Sequence, residues 1–563
     1  MVLNGARTDP DTIMQCPMSA RRVALAAAGM SVIACGVCDA QSLPASAAPV
    51  GSGLGSMQRA ATGASAPASS DAGTVQGPPR TSFVAPSVTV RMTSTDNTAF
   101  GTGRPARADT VLELVPRVAF ASDHARWRLG GDFRVDAVHN VRGTEPDVLL
   151  PDGTLRFNAD LVERFLHLDA GVQSQRNAIT PWAGLPGPTV ASAYTTTQFR
   201  VSPYLEHDFG HGLRASARSD ETWTRVSDNP GVNGLFGGRR AVQTFGMTQY
   251  PLPWGYALTA QDDATTFDGL PDASLRDTTV RAAVMRKASE NLRVGVIGGA
   301  ERVRALLSRK DAGIYGVSAR WSANPATFVD ARIEERFFGT GWALQAQAGS
   351  AQMRLNIDWT REPSTFLAGL AGNGLPGAAV GTLLDSLLQS RVPDPVARAQ
   401  AVQTLLGETG LPAGLPGGVN FYTTAATLRN QLRVRALILR ARNSYALTLF
   451  RSRTEDLFLP GQGVVQAVQL ASADNVESGV AFAFGRKLDA RNRLSVNLLH
   501  VLETGFGPNA GRSSRQSGVI VELDHDVTPR TLMLIGARRQ LLFSSTLAHT
   551  AESALFVGLI HHF

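Results

Sequence analysis

Four side chains capable of metal binding or proton transfer stand close together: Glu206, His207, Asp208 and His211. Imidazoles and carboxylates held side by side make a metal site or a general acid–base pair. The spacing argues against both. In an extended chain successive side chains point to opposite faces, so Glu206 and Asp208 diverge from His207. Phe209-Gly-His-Gly212 reads as a tight turn, and a solvated turn is the expected role of the whole cluster. His561-His562 is likewise a strand end and not a ligand pair. The glycine-rich run at 51–56 lies in low-complexity sequence and follows no strand, so it is not a phosphate loop. Cys16, Cys35 and Cys38 are the only cysteines and all precede residue 40, leaving the rest without a thiol nucleophile, disulfide or cysteine metal site. The expectation is a protein that is not an enzyme and takes no metal or cofactor.

What the chain does repeat is an alternation of charged and apolar residues. In 126–137, Arg126, Arg128, Asp132, Arg134 and Asp136 alternate with Trp127, Leu129, Phe133, Val135 and Ala137. In 329–337, Asp330, Arg332, Glu334 and Arg336 alternate with Val329, Ala331, Ile333 and Phe337, with Glu335 the one intruder. In 353–360, Arg354, Asn356, Asp358 and Thr360 alternate with Met353, Leu355, Ile357 and Trp359. In 431–438, Gln431, Arg433, Arg435 and Leu437 alternate with Leu432, Val434, Ala436 and Ile438. A period of two is the strand period, here with one apolar and one charged face. A soluble sandwich gives the same alternation, but not through some 480 residues without a helical domain or a second kind of core. The arrangement predicted is a transmembrane, antiparallel, up-and-down β-barrel. Trp127, Leu129, Val135, Leu355, Ile357, Leu432 and Val434 should face lipid, and the charged sets the lumen.

Composition agrees. The chain has 563 residues, mean hydropathy near zero, and a net charge of +7 that is almost all arginine, with Lys287, Lys310 and Lys487 the only lysines. A barrel hides its apolar residues by alternation, so weak hydropathy is expected. The arginines are interleaved with Asp and Glu, which suggests a salt-bridged lumen rather than a basic patch for nucleic acid. The C-terminal run Leu555-Phe-Val-Gly-Leu-Ile-His-His-Phe563 puts Leu555, Val557, Leu559, His561 and Phe563 on one face of a last strand. A chain ending inside such a strand on an aromatic residue looks like an outer-membrane barrel, with that strand read by the assembly machinery and closing on the first, near Phe83–Thr95. Tight turns such as Asp489-Ala-Arg-Asn492 and Asp526-Val-Thr-Pro-Arg530 alternate with long connections such as 177–196, 227–239 and 455–474. Only Phe338-Gly-Thr-Gly341 is short where a long loop is due. The count comes to about 22 strands, in a range of 18–24, with both ends in the periplasm of a Gram-negative cell.

The flanking segments divide as follows. Residues 1–40 are a leader: Arg21 and Arg22 form a basic region and Val23 to Val37 a short apolar one, so this is an export signal, with Met18 a plausible true start. Cleavage after Ala40 or Ala47 competes with lipidation at Cys35, whose Val32-Ile-Ala-Cys35 context is lipobox-like. Residues 41–82 are rich in Ala, Ser, Gly and Pro and read as a disordered periplasmic segment, too short for a transporter's plug domain. The barrel occupies 83–563, and within it 362–420 breaks the pattern. Leu383, Leu384, Leu387 and Leu388 have helical spacing, as do Val396, Ala399, Val402, Leu405 and Leu406. Asp394-Pro395 opens the second helix, and Gly-Leu-Pro repeats at Gly374, Gly410 and Gly414 flank the pair. This hairpin should lie outside the cell or folded into the mouth, either as a lid or partial plug or, with slightly better support, as a loop packed on itself.

Residues 82–563 resemble the outer-membrane β-barrel family associated with PEP-CTERM/exosortase and exopolysaccharide loci of Proteobacteria. The matching stretches are Phe165-Leu-His-Leu-Asp-Ala-Gly-Val-Gln-Ser-Gln175, Gly313 to Asn324 with Pro325-Ala-Thr, Arg336-Phe-Phe-Gly339, Arg442-Asn-Ser-Tyr-Ala-Leu-Thr-Leu-Phe450 and Ser478 to Phe563. The resemblance implies outer-membrane location, a barrel, and an association with surface polysaccharide. It makes the expected role a passage or scaffold for exported polymer, in contact with outer-membrane lipid and with polysaccharide export components. The alternative is a general diffusion porin or a structural barrel closed by its own salt bridges.

Overall fold

The computed structural model describes residues 82–563 except 103, 179–192, 227–235, 252, 306–307, 325, 373–377, 390, 413, 417–422, 424–425 and 459–473. The leader and the 41–81 segment lie outside the described residues. The alternating segments become strands. They are β1 (Ser82–Thr95), β2 (Asp109–Asp123), β3 (Trp127–Asn140), β4 (Val148–Val162), β5 (Leu166–Ala178), β6 (Ala193–Gly210), β7 (Leu213–Val226) and β8 (Gly238–Gln249). Next come β9 (Trp254–Phe267), β10 (Leu270–Lys287), β11 (Leu292–Ala305), β12 (Ser308–Asn324), β13 (Thr327–Arg336), β14 (Gly339–Gly349) and β15 (Met353–Ser364). The last are β16 (Thr427–Leu439), β17 (Asn443–Asp456), β18 (Asn475–Lys487), β19 (Asn492–Gly505), β20 (Ser513–Thr528), β21 (Thr531–Ser544) and β22 (Thr550–His562). Each pairs antiparallel with its successor, and β22 pairs with β1 from Ser87↔His562 to Thr95↔Ala554. The sheet of 22 strands is closed, so no edge is left open.

The tight turns lie at one end. There Asp489 accepts hydrogen bonds from the Arg491 and Asn492 amides and the Asn492 side chain, and these hold its carboxyl below the usual carboxylate range. Both termini of the barrel share this end. The other end carries the long connections, but not all round. Between β9 and β10, β11 and β12, and β13 and β14 the strands are joined by two residues each, at 268–269, 306–307 and 337–338. The sequence reading found only the last of these: it passed over Asp268-Gly269, a strong hairpin-turn pair, and Leu306-Leu307 carries no turn residue.

Three helices interrupt the β-pattern between β15 and β16: α1 (Phe366–Gly372), α2 (Ala378–Leu388) and α3 (Pro395–Thr409). α3 starts as its sequence dictates. Asp394 caps it by accepting from the Ala397 amide at 2.6 Å, Pro395 takes the first position, and Gly410 closes it at φ 64°. The outer face of the barrel is apolar along its middle: Val90, Val296, Tyr315, Val317 and Leu555 are all exposed there. A closed antiparallel barrel with an apolar exterior is a structure for lipid, since every backbone group is satisfied within the sheet. The protein is an outer-membrane β-barrel. The short turns mark its periplasmic end and the long connections its cell-surface end.

Candidate functional site

The interior wall is built by period-two selection from the strands. Register places Arg128, Asp132, Arg134 and Asp136 of β3 on the same face as their opposite numbers Asp123, Ala119 and Arg117 of β2 and Asp152 and Leu150 of β4. The pairs that follow are cross-strand contacts. Arg117 binds Asp132 at 2.5 Å, Arg134 binds Asp152 at 3.1 Å and lies 3.8 Å from Asp136, and Arg128 lies 3.5 Å from Asp123. Across the barrel Arg435 binds Asp358 at 2.5 Å, and Arg433 stands directly opposite Asp358 in register. Arg320 meets Asp330 at 3.1 Å. Arg126 falls in the turn before β3 and is exposed at the periplasmic rim, so it belongs to no lumenal pair.

A further set of buried charges spans more than one strand. Arg281 of β10 reaches Glu334 of β13 at 3.0 Å, and Arg332 adds a contact to Glu334 at 3.5 Å. The residues directly opposite Arg281 and Glu334 are Gly299 of β11 and Gly316 of β12. With no side chains at those two positions, the span between Arg281 and Glu334 is left clear. Arg336 pairs with Glu301 and, at 3.3 Å, with Asp277. The sequence reading named Arg332, Glu334 and Arg336 but not Arg281, Glu301 or Asp277, because their strands do not alternate cleanly.

The insertion does not lie outside the barrel. α3 contacts both β18 and β2, with β19, β20, β21, β22 and β1 between them. A rod touching two such strands must cross the interior of a convex wall. α1 crosses at the cell-surface end, where Phe366, Leu367 and Leu370 pack with Tyr194 of β6 and Phe267 of β9. Thr365 and Thr265 lie 3.4 Å apart across the same gap. The α2–α3 hairpin lies deep, near the periplasmic turns. Val380, Leu383, Leu384, Leu387, Leu388 and Val402 form one apolar cluster with Leu437 of β16, Ala446 of β17 and Ala481 and Ala483 of β18. These wall positions share the lumenal face with Arg433, Arg435 and Glu477. Where the hairpin rests, small and apolar residues stand in place of charges. The reading of a surface loop packed on itself is therefore corrected: one amphipathic helix pair needs a second apolar surface, and the wall supplies it.

Polar contacts complete the seat. Arg354 donates to the Ser386 carbonyl of α2, and Lys487 lies 3.5 Å from Glu408 of α3. Arg117 reaches Gln403 at 3.4 Å on the far wall. Gly485 is the tightest point, where an added Cβ would come within 1.9 Å of the Thr409 carbonyl oxygen. Arg398, buried, ties the hairpin together: it donates to Asp385 at 2.7 Å and to the carbonyls of Val392 and Pro393 at 3.0 and 2.9 Å. Beside the end of α3 an open cavity of about 390 Å³ remains against β19–β22, lined by Glu408, Arg493, Glu522, Asp524, Asp526 and His562 among others.

The Glu206 cluster does not converge. His207 packs edge-on to Phe165 and Phe209 on the outer face, while Asp208 pairs with Arg214 at 2.8 Å. Among the described residues no group of three or more His, Cys, Asp or Glu side chains is arranged to hold a metal. Leu555, Val557, Leu559 and His561 line the outer face of β22, and Phe563 follows it, exposed. His561 bonds Thr531 at 3.0 Å and stands edge-on to Phe563 at 4.9 Å.

No family model matches the chain, and no curated protein does. The fold is similar to several solved barrels. The siderophore receptor PirA from Acinetobacter baumannii is 9% identical over 85% of this chain and 80% of its own, with a TM-score of 0.40. The FrpB iron transporter from Neisseria meningitidis (F3-3 variant) is 8% identical over 85% and 81%, with a TM-score of 0.43. A BenF-like porin from Pseudomonas fluorescens Pf-5 is 8% identical over 85% and 99%, with a TM-score of 0.34. At these identities the likeness is one of overall architecture.

Proposed function

We propose that the protein is a gated, non-catalytic passage for a hydrated polar solute, closed at rest by its own α1–α3 insertion, and that its setting is exopolysaccharide export or the PEP-CTERM/exosortase system. The observation that carries the gate is the crossing of the interior by α3 from β18 to β2. The observation that favours a polar solute is the paired lumen, in which arginine and carboxylate alternate at hydrogen-bonding distance. A surface so charged is wetted and offers a sugar polymer many donors and acceptors. The setting rests on the resemblance of the strand and turn motifs. Assembly by the outer-membrane barrel machinery and contact with polysaccharide export components belong to the same reading.

The test is planar-bilayer conductance. The intact barrel should hold a low-conductance state, and a form with 366–416 replaced by a short Gly/Ser linker should open to a large stable conductance. Since no cysteine occurs after Cys38, a single engineered pair can be read cleanly. Ala483→Cys with Leu387→Cys, crosslinked, should abolish any spontaneous openings. A wide, steady conductance in the intact barrel, unchanged by deletion or crosslinking, would instead favour a general diffusion porin. Equal closure with and without the insertion would favour a structural barrel.

A further inference from the structure

The outer surface is as asymmetric as the ends. At the periplasmic rim the outward residues are mainly aromatic: Trp127, Phe165, His207, Phe209, Trp254, Trp321, Tyr445 and Phe563, with Arg286 and Arg486 as outward cations. At the cell-surface rim arginines recur among the outward residues. The densest group lies on β10–β12, where the connections are only two residues long. Arg276 is directly opposite Arg304, and Arg304 directly opposite Arg309. Three guanidinium groups thus form a row across three adjacent strands, at a spacing of about 5 Å per strand. Like charges placed directly opposite are unfavourable unless an anion lies between them.

The protein supplies only part of that anion. Asp262 binds Arg276 at 2.8 Å, and Asp311 binds Arg302 at 2.6 Å and Arg309 at 2.9 Å. Arg304, central in the row and exposed, makes no ion pair within 4 Å among the described residues and feels only the more distant charge of Asp262. Four arginines face two carboxylates. The height of the row fits a membrane interface. Arg276 and Arg286 both point outward on β10, ten residues apart, with Val280, Ala282 and Val284 between them. At 3.4 Å per residue and a tilt near 40°, ten residues rise about 25 Å along the membrane normal, the height of a barrel's apolar band. The row therefore sits where outer-leaflet headgroups begin. Guanidinium binds phosphate through two parallel hydrogen bonds, and three in a row match a headgroup bearing more than one phosphate.

We infer that Arg276, Arg304 and Arg309, with Arg302, form a binding site for the phosphates of an outer-leaflet lipid headgroup. The test uses the purified full-length barrel in neutral detergent and native mass spectrometry. Diphosphorylated lipid A should bind at least tenfold more tightly than its dephosphorylated form. R276Q/R304Q/R309Q should lose that preference, while R286Q/R486Q at the opposite rim keeps it. Heat-modifiable gel mobility establishes folding. If the triple variant does not fold, R304Q, which breaks no ion pair, should weaken the phosphorylated lipid severalfold. Equal binding of the two lipids, a triple variant that binds like the parent, or displacement of the lipid by an equal concentration of inorganic pyrophosphate would each overturn the proposal.

Discussion

Arg336 neutralises two carboxylates at once, and its removal isolates both. Glu301 is fully buried and Asp277 partly buried, and each pairs with Arg336. An unpaired buried charge costs about 3–5 kcal/mol, whereas the intact pair contributes little against an apolar substitute. Arg336→Met should therefore lower barrel stability by that amount, read as a shift of the urea midpoint during reversible unfolding in lipid vesicles. Arg336→Met with Glu301→Leu and Asp277→Leu should recover most of the loss. A single variant as stable as the parent would show that water reaches the carboxylates. The facing of Arg128, Arg134, Arg332, Arg354, Arg433 and Arg435 was legible, since a period of two leaves no choice once one face meets lipid. Their partners were not. Arg281 finds Glu334 only because Gly299 and Gly316 clear two intervening strands, and register across three pairings is not written in any local pattern.

At the scale of elements, the helix pair was legible and its location was not. Apolar spacing in 383–388 and 396–406 and the Asp394-Pro395 start are local signals. That the pair rests inside the barrel depends on wall residues some 30 to 120 positions away. Leu437 was the available clue, an apolar residue on the charged face of β16, together with Ala481 and Ala483 on β18. Short α1 gave no usable periodicity and was missed. The contact at Gly485 makes the seat testable without touching the hairpin. Gly485→Val places carbon where the Thr409 carbonyl now sits, and should raise the frequency of open events in planar bilayers at least tenfold while leaving heat-modifiable mobility intact. Arg398→Ala removes the tie between α2 and α3 and exposes two carbonyls and Asp385, at about 1–3 kcal/mol for the lost bonds. Limited proteolysis of folded protein should then cut within 378–409, where the parent should resist. Resistance equal to the parent's would mean that wall contacts alone hold the hairpin.

For the molecule as a whole, closure is the decisive event. Strand number followed from the sequence because each turn and each alternating run adds one strand, and an even total returns the chain to its starting side. The joints at 268–269 and 306–307 did not upset the count, since they shortened loops without removing strands. Removal of Leu559–Phe563 leaves Ser87–Val90 of β1 with nothing to pair on that side. Each exposed backbone group costs several kcal/mol in hydrocarbon. The truncated chain should be exported yet absent from the outer membrane, as read by fractionation and loss of the heat-modifiable band. Its appearance there as a folded barrel would remove β22 from the assembly step. The insertion has a mechanical consequence of its own. β15 and β16 both end at the cell-surface rim, so the chain between Ser364 and Thr427 enters and leaves the lumen through one mouth. Tension applied from outside the cell draws the hairpin back along the route by which it entered, peeling it from the wall a few side chains at a time. Tension from the periplasm finds no free end to pull and must shear the whole seat at once. The same contacts are therefore weak against one direction of force and strong against the other.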